Sequence, residues 1–220
     1  GGRLAASLTG HTGRVGGVAA SPLEAGVALS ASADRTIKVW GLEKGFCART
    51  ILCPSTCHAV GFVRDATLIA SGHWDGTLRF WDLRSGKGAH EIAGLHAGQA
   101  TVASSFSGNT VLTSGRDNLL RVVDTRTFEV MHTLAAPNFV VGGPWSIGAL
   151  SWDESHVAAG SMDGTVFVWD LHKPGASPLR LRLPGPGPHP PITAAAWSPQ
   201  GLPLVTASKT GVVTFWQGEE

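Results

Sequence analysis

One short phrase recurs five times along this 220-residue chain at a nearly constant interval. Its turn positions are 41, 42, 46 and 47 residues apart, and six residues after each comes a position that is Trp in four of the five copies. The turn positions are Asp34, Asp75, Asp117, Asp163 and Thr210, and the positions that follow them are Trp40, Trp81, Val123, Trp169 and Trp216. A period of this length indicates repeated supersecondary units that stack side by side.

The residue directly after the Trp position is Asp in three copies, at Asp82, Asp124 and Asp170. A repeat of about 40–45 residues that closes on Trp-Asp is typical of a WD40-type β-propeller. Each repeat then forms one blade of four antiparallel strands, here called a to d from the central channel outward. The sequence therefore predicts an all-β fold with five recognisable four-stranded blades.

The blades are predicted at about residues 9–52, 53–93, 94–135, 136–184 and 185–220, all within one domain over residues 1–220. The last blade has no strand d, whereas residues 3–9, around Leu4–Leu8, resemble a strand d with no blade before it. Either this segment fills the last blade and closes a five-bladed ring, or it completes another blade of a larger, seven-bladed ring. We favour the larger ring, because WD propellers usually have seven blades and closure removes exposed sheet edges.

Composition excludes several functions. The net charge is +1 with no run of like charges, which disfavours nucleic acid as a partner. No apolar run approaches the ~20 residues of a membrane-spanning helix, so no direct membrane span is expected. The start lacks the layout of a secretory signal, and it lacks Met, so we expect upstream sequence. These features predict a cytoplasmic globular protein.

Three cysteines, Cys47, Cys53 and Cys57, suit a reducing compartment. Cys53, Cys57 and His58 could form a metal cluster, but their spacing matches no standard zinc pattern and a fourth ligand is not obvious. We therefore interpret them as thiols and expect neither a metal nor a cofactor.

A hydrogen-bonded network is expected inside each blade. A His before strand a, a Ser or Thr in strand b, the turn Asp and the strand-c Trp would join, because a buried indole N–H needs an acceptor. The residues at these positions are His11, Ser30, Asp34 and Trp40; Ser71, Asp75 and Trp81; His96, Thr113 and Asp117; Asp163 and Trp169; and His189, Thr206 and Trp216. No His precedes the second blade, Val123 replaces Trp in the third, and Ala159 replaces Ser in the fourth.

These Ser, His and Asp residues recur in separate repeats, so they do not suggest a hydrolase triad, which gathers in one cleft. The chain also lacks a GxSxG elbow, an HExxH pair and a phosphate-binding loop. The sequence therefore predicts no catalytic residue and a non-enzymatic protein.

Binding is then expected on the surface formed by the turns between strands b and c, where short peptide motifs of other proteins could dock. Trp74, beside His73 at the tip of the second turn, is the expected anchor, because Trp and Arg dominate interface hot spots. Arg35, Arg116 and Lys209 would give the surface a positive charge suited to an acidic peptide. The alternative is that Trp74 folds onto a neighbouring blade.

Two further segments allow other interpretations of the function. Trp81-Asp82-Leu83-Arg84 resembles the box by which many WD proteins dock to cullin-4 ubiquitin ligase adaptors, so a substrate receptor is the alternative function. The proline-rich stretch at 183–191 cannot hold a strand, because proline removes ladder donors. It is either a stiff spacer or a short proline-rich ligand.

Several stretches together are more specific than a generic repeat: LTGH at 8–11, SGHWDGTLRFWDLRS at 71–85, SGRDNLLRVVDTRT at 114–127, AAPNFVVGGPW at 135–145, HVAAGSMDGTVFVWD at 156–170 and ITAAAWSP at 192–199. The chain thereby resembles the C-terminal WD domain of the autophagy-related protein sixteen-like family, and most of all its second vertebrate paralogue. The resemblance implies the last five blades of a seven-bladed propeller.

The same resemblance implies a role. Members of this family place a ubiquitin-like conjugate on membranes, where it promotes attachment of a ubiquitin-like protein to lipid, and their WD domain is the adaptor for receptors and regulators. The parts that bind the conjugate and dimerise the protein are not in this chain. An autophagy scaffold recruited from the cytoplasm to autophagic or endolysosomal membranes is therefore expected.

Overall fold

The chain forms five antiparallel sheets in sequence order in a computed structural model that describes residues 4, 6–105, 107–143, 146, 148–173, 175–181 and 189–217. The first sheet contains β1 (Val15–Ala20), β2 (Val27–Ser32), β3 (Thr36–Gly41) and β4 (Phe46–Leu52); the second β5 (Cys57–Val63), β6 (Leu68–His73), β7 (Leu78–Asp82) and β8 (Gly88–Ile92); the third β9 (Ala103–Ser104), β10 (Thr110–Ser114), β11 (Leu120–Asp124) and β12 (Val130–Leu134). The fourth contains β13 (Ala149–Leu150), β14 (His156–Gly160), β15 (Val166–Asp170) and β16 (Leu179–Leu181), and the fifth β17 (Ile192–Ser198), β18 (Gly201–Ser208) and β19 (Val213–Trp216). The predicted all-β fold is confirmed.

Each sheet is a simple meander in which neighbours in sequence pair antiparallel. Two inner strands are short, since β9 and β13 have two residues each among the described residues. In the third blade the hydroxyl of Thr101 accepts the Ser114 N–H at 3.3 Å. This side-chain bond replaces a ladder bond, so the regular strand begins later.

The hydrophobic core lies between neighbouring sheets. One cluster joins Leu29 and Ile37 of the first sheet to Ile69 and Trp81 of the second. The inner strands contact their neighbours in order, β1 with β5, β5 with β9 and β13 with β17. Each blade therefore buries its face only against the next one, as expected of a repeat protein.

The first and fifth blades are not joined within the described residues. The fifth sheet has three strands there, and residues 4 and 6–8 belong to no strand. Ala6 lies beside Gly45, just as Arg49 of strand d in the first blade lies beside Gly86 of the second. This position is compatible with a preceding strand d, and both that role and the seven-bladed ring stay predictions.

The part of the chain that the structure describes contains no helix with the length and apolarity needed to cross a membrane. Most of the proline-rich connection lies at residues 182–188, outside the described residues.

Candidate functional site: the b–c turn face

The turns between strands b and c share one backbone conformation. The residue after each turn position has a positive φ: Arg35 at 63°, Gly76 at 74°, Asn118 at 59°, Gly164 at 79° and Gly211 at 86°. Glycine occupies this left-handed region without a steric penalty, which accounts for the Asp-Gly pairs in the repeats. The turns therefore present the residue before each Asp at the tip.

The first blade contains the full network. His11 Nδ1 lies 2.9 Å from the Asp34 carboxylate, and its Nε2 lies 2.6 Å from Ser30 Oγ. The indole N–H of Trp40 donates to the same Ser30 oxygen at 2.7 Å. Burial alone would raise the pKa of Asp34, but hydrogen bonds from Thr36, from the backbone N–H of residue 12 and from His11 lower it. The network fixes the turn to the blade.

In the second blade the imidazole that contacts the strand-b Ser comes from strand b itself and not from the segment before strand a. His73, at the end of β6, lies 2.8 Å from Ser71 Oγ through Nε2 and 3.2 Å from the Ser55 carbonyl through Nδ1. The indole N–H of Trp81 donates to Ser71 Oγ at 2.7 Å. His73 thus makes the hydrogen bond to the strand-b Ser that the His before strand a makes in the first blade. It is fully buried, which corrects the expectation that it takes part in partner binding.

The other three blades keep parts of the pattern. In the third, His96 bonds Asp117 and Thr113, each at 2.9 Å. In the fourth, where Ala159 offers no hydroxyl, the indole N–H of Trp169 donates to the Ala135 carbonyl at 3.3 Å. In the fifth, Trp216 donates to Thr206 at 2.9 Å. The carboxylate of Asp163 caps its own turn by accepting the backbone N–H of residue 165. These hydrogen bonds link the strands and turns within each blade.

Arginine side chains of strand c, paired with the turn Asp, form a feature that the sequence interpretation missed. Arg79 of β7 is 6% exposed and bonds both carboxylate oxygens of Asp75, at 3.2 and 2.9 Å, and then Glu91 at 3.1 Å. Arg121 makes the equivalent contact with Asp117 at 3.0 Å. The recurring Asp followed four residues later by Arg was the available signal. These pairs tie strand c to its turn.

His73 makes stability depend on pH. Burial, with the nearby Arg79 charge, lowers the pKa of His73 from 6.5 to about 4. Between pH 6.5 and 4, His73 is protonated in the unfolded chain but not in the folded chain. The contribution of His73 to the free energy of unfolding is therefore fully present above pH 6.5 and is lost as the pH falls from 6.5 to 4. We expect a loss of ~3 kcal/mol from this group across that window, measured by urea unfolding at several pH values.

His73→Gln is the control for this titration, because Gln can still hydrogen-bond Ser71 but does not bind a proton. The pKa of His96 is lowered as well, by burial, so the variant should retain part of the pH dependence. Equal slopes for the variant and the parent chain between pH 6.5 and 4 would show that His73 is not the group concerned.

Trp74 is the most prominent side chain on the turn face, with 55% of its surface exposed. Its backbone N–H donates to the Thr56 carbonyl at 2.9 Å, and its ring centroid lies 5.6 Å from that of His58. His58 Nε2 is buried and has no hydrogen-bond partner among the described residues. Trp74 thus contacts His58 within its own blade in a tilted arrangement, while much of the indole remains open to solvent.

The expected basic residues of this face are exposed. Arg35, Arg116 and Lys209 lie on the turns of the first, third and fifth blades. They sit on separate turns from Trp74, so the structure spreads the positive charge along the face and does not gather it in one pocket. We call the surface formed by these four residues the b–c turn face.

The Asp of each Trp-Asp pair stabilises the turn between strands c and d. Asp82 accepts the Ser85 N–H at 2.6 Å, and Asp170 accepts the His172 N–H at 2.9 Å. Asp124 also binds the Arg126 guanidinium at 2.9 Å. This capping accounts for the Trp-Asp pattern without any ligand. Arg84 of the proposed docking box is exposed on the same turn.

Repeating sheets, indole-anchored blades and tight Asp turns together define a WD-repeat propeller fold. The family described as WD domain, G-beta repeat matches residues 2–41, 45–82 and 131–170, which is more than half of the chain. The chain belongs to this WD-repeat family.

Within that family, the chain is similar to Autophagy-related protein 16 of Arabidopsis thaliana, 42% identical over 215 residues, 98% of the chain and 41% of the relative. Protein tipD of Dictyostelium discoideum is 32% identical over 219 residues, 98% of the chain and 35% of the relative. Protein Atg16l2 of Mus musculus is 31% identical over 174 residues, 79% of the chain and 27% of the relative. The resemblance stated from the sequence is confirmed. The chain spans about two fifths or less of the length of these relatives.

Proposed function

We propose that this chain is the protein-binding adaptor of an autophagy scaffold, and that it captures short peptide motifs of other proteins on the b–c turn face. Receptors and regulators held there would be linked, through other parts of a longer protein, to the ubiquitin-like lipidation machinery at autophagic or endolysosomal membranes. The relatives named for autophagy support this setting, and they do not favour the cullin-4 alternative.

The observation that carries the proposal is the exposure of Trp74. The strand-c indoles Trp40, Trp81 and Trp169 are all buried and hydrogen-bonded, whereas 55% of Trp74 is open to solvent. An exposed Trp at a rigid turn loses little conformational freedom on binding, which makes it an efficient anchor.

The charge of the face selects the partner. Arg35 and Arg116 are exposed on the turns of the two neighbouring blades, and Lys209 is exposed on the turn of the fifth blade. Arg14 precedes β1, and its charge, after burial, helps to lower the pKa of His58 beneath the indole. A peptide with acidic residues beside an apolar or aromatic side chain therefore suits this face, since opposite charges speed association and favour the correct partner.

We expect Trp74→Ala to reduce capture of such partners at least tenfold. A tenfold loss of affinity corresponds to about 1.4 kcal/mol of binding free energy, and removal of a hot-spot residue costs more than that. The measurement is quantitative mass spectrometry of proteins bound to the immobilised chain, with the parent and the variant compared side by side. Arg116→Glu should reduce the same set of partners and weaken its salt dependence.

Trp152→Ala is the matched control, because it removes an equally exposed Trp from the opposite side of the molecule. Circular dichroism and thermal unfolding would establish that both variants are folded. The proposal fails if Trp74→Ala keeps the partner set of the parent, or if both Trp variants lose the same partners.

A further inference from the structure

A concave apolar surface lies on the side of the molecule opposite to the b–c turn face, where strands a meet strands b. A cavity of about 690 Å³ is lined by residues of β1, β5 and β9 and the turns that follow them, including Leu23 and Phe62. A second cavity of about 330 Å³ is lined by β9, β13 and β17, including Trp152. Both are lined by Ala103 and Ser105, so they adjoin. We call this continuous surface the a–b groove.

Trp152 is held at the rim of the a–b groove by its surroundings. Its indole Nε1 lies 3.3 Å from where a Cβ of Gly201 would be, so the ring from the fourth blade rests on the backbone of the fifth. Yet 53% of the residue is exposed. A Trp that is braced on one face and open on the other fits the role of an interface anchor.

Two other side chains extend the apolar surface. Trp197 donates its indole N–H to the Ala149 carbonyl at 3.2 Å, which satisfies its polar atom and fixes the ring between two blades. Leu23, in the turn after β1, is 64% exposed at the other end of the groove. Apolar side chains exposed together around a concavity mark binding sites more often than single exposed residues do.

The rim of the a–b groove is acidic. Among the described residues, the turns between strands a and b contain Glu24, Asp65, Asp153 and Glu154 against the single cation Arg64. Hydrogen bonds from Ser151 and then Ser155 lower the pKa of Asp153 to about 2, so it is ionised at neutral pH. Glu154 accepts hydrogen bonds from Ser107 and from Thr110 across the blade boundary. The sign of this rim is opposite to that of the b–c turn face.

We propose that the a–b groove is a second docking site, which binds a short peptide with an apolar centre and basic flanks. The apolar centre would pack on Trp152 and the small residues Ala103 and Ala195, while the basic flanks meet the acidic turns. The groove crosses several blades and is open along its length, which suits an extended chain better than a compact ligand. This proposal is independent of the function proposed for the b–c turn face.

The test uses two labelled peptides of equal length in fluorescence anisotropy, Arg-Arg-Leu-Pro-Leu-Arg-Arg and Glu-Glu-Leu-Pro-Leu-Glu-Glu. We expect the basic peptide to bind at least about tenfold more tightly than the acidic one, and its affinity to fall as salt shortens the range of the charges. Trp152→Ala should weaken the basic peptide by about tenfold or more, as removal of a hot-spot Trp does. Trp74→Ala should leave its affinity unchanged.

A charge variant tests the second half of the proposal. Asp65 has a φ of 52°, a conformation that Asn tolerates well, so Asp65→Asn with Glu24→Gln removes two rim charges without a change of shape. The basic peptide should bind this double variant about threefold to tenfold more weakly, by the usual size of rim-charge effects. The proposal is overturned if neither peptide binds the parent chain, if the acidic peptide binds as tightly as the basic one, or if Trp152→Ala leaves the basic peptide bound while the variant remains folded.

Discussion

Gly76→Ala should destabilise the fold by about 4 kcal/mol or more, the range of severe overpacking in a rigid interior. A Cβ at this position would lie 2.0 Å from the His96 carbonyl oxygen and 2.5 Å from that of Gly98. Both atoms are backbone of the connection that leads into the third blade, and His96 donates its own N–H to the Gly76 carbonyl at 3.0 Å. Relief would require two blades to move apart. Urea unfolding would measure the change.

Gly211→Ala is the matched control, because Gly211 occupies the same turn position in the fifth blade with a φ of 86° and no atom within 4 Å of a Cβ. It should cost only about 1 kcal/mol, the penalty of a positive φ for a side chain. Arg35 and Asn118 adopt this conformation with side chains, so the backbone alone does not forbid it. Equal effects of the two substitutions would show that contact between blades is not what makes Gly76 necessary.

Ser71→Ala should be nearly as damaging, with an expected loss of about 3 kcal/mol. The Ser71 hydroxyl accepts the indole N–H of Trp81 at 2.7 Å and lies 2.8 Å from Nε2 of His73. Because His73 Nδ1 faces the Ser55 carbonyl and therefore carries the proton, Nε2 accepts from Ser71. Alanine would leave a buried donor and a buried acceptor unpaired. The free energy of unfolding from chemical denaturation measures the loss.

Ser71→Thr provides the comparison, since Thr113 and Thr206 serve at the same position in other blades. It keeps the hydroxyl and should cost about 1 kcal/mol or less, the price of one extra methyl group in a packed site. If the alanine and threonine variants were equally stable, the hydroxyl would not be what holds Trp81.

Periodicity was sufficient for the architecture because the repeats supply the same pattern five times. The four strands of the first sheet lie within the predicted residues 9–52, and Trp40 bonds Ser30 as the expected network required. The role of His73 was missed, although it lies two residues after Ser71 and hence on the same face of the strand. The sequence interpretation put both His73 and Trp74 at the exposed tip of the turn. In the structure β6 continues to His73, and the imidazole ring is buried inside the blade.

The a–b groove was beyond the reach of sequence patterns for a physical reason. Leu23, Ala103 and Trp152 come from three blades and share no motif, so only the stacking of the sheets brings them around one concavity. The acidic turns at its rim are likewise dispersed along the chain. Local patterns specify blades well, but surfaces composed of several blades appear only in three dimensions.

Because His73 lies in strand b of the second blade, the hydrogen-bonded network of that blade is contained in one hairpin. In the first blade the Ser30 hydroxyl that accepts the Trp40 N–H also contacts His11, which lies in the segment before the first strand. In the second blade Ser71, His73 and Trp81 all belong to two adjacent strands. To His73 the connection into the second blade contributes the backbone carbonyl of Ser55 and no side chain. The Trp81 anchor in the second blade is therefore built within one hairpin, whereas the network of the first blade also needs a side chain from the preceding segment.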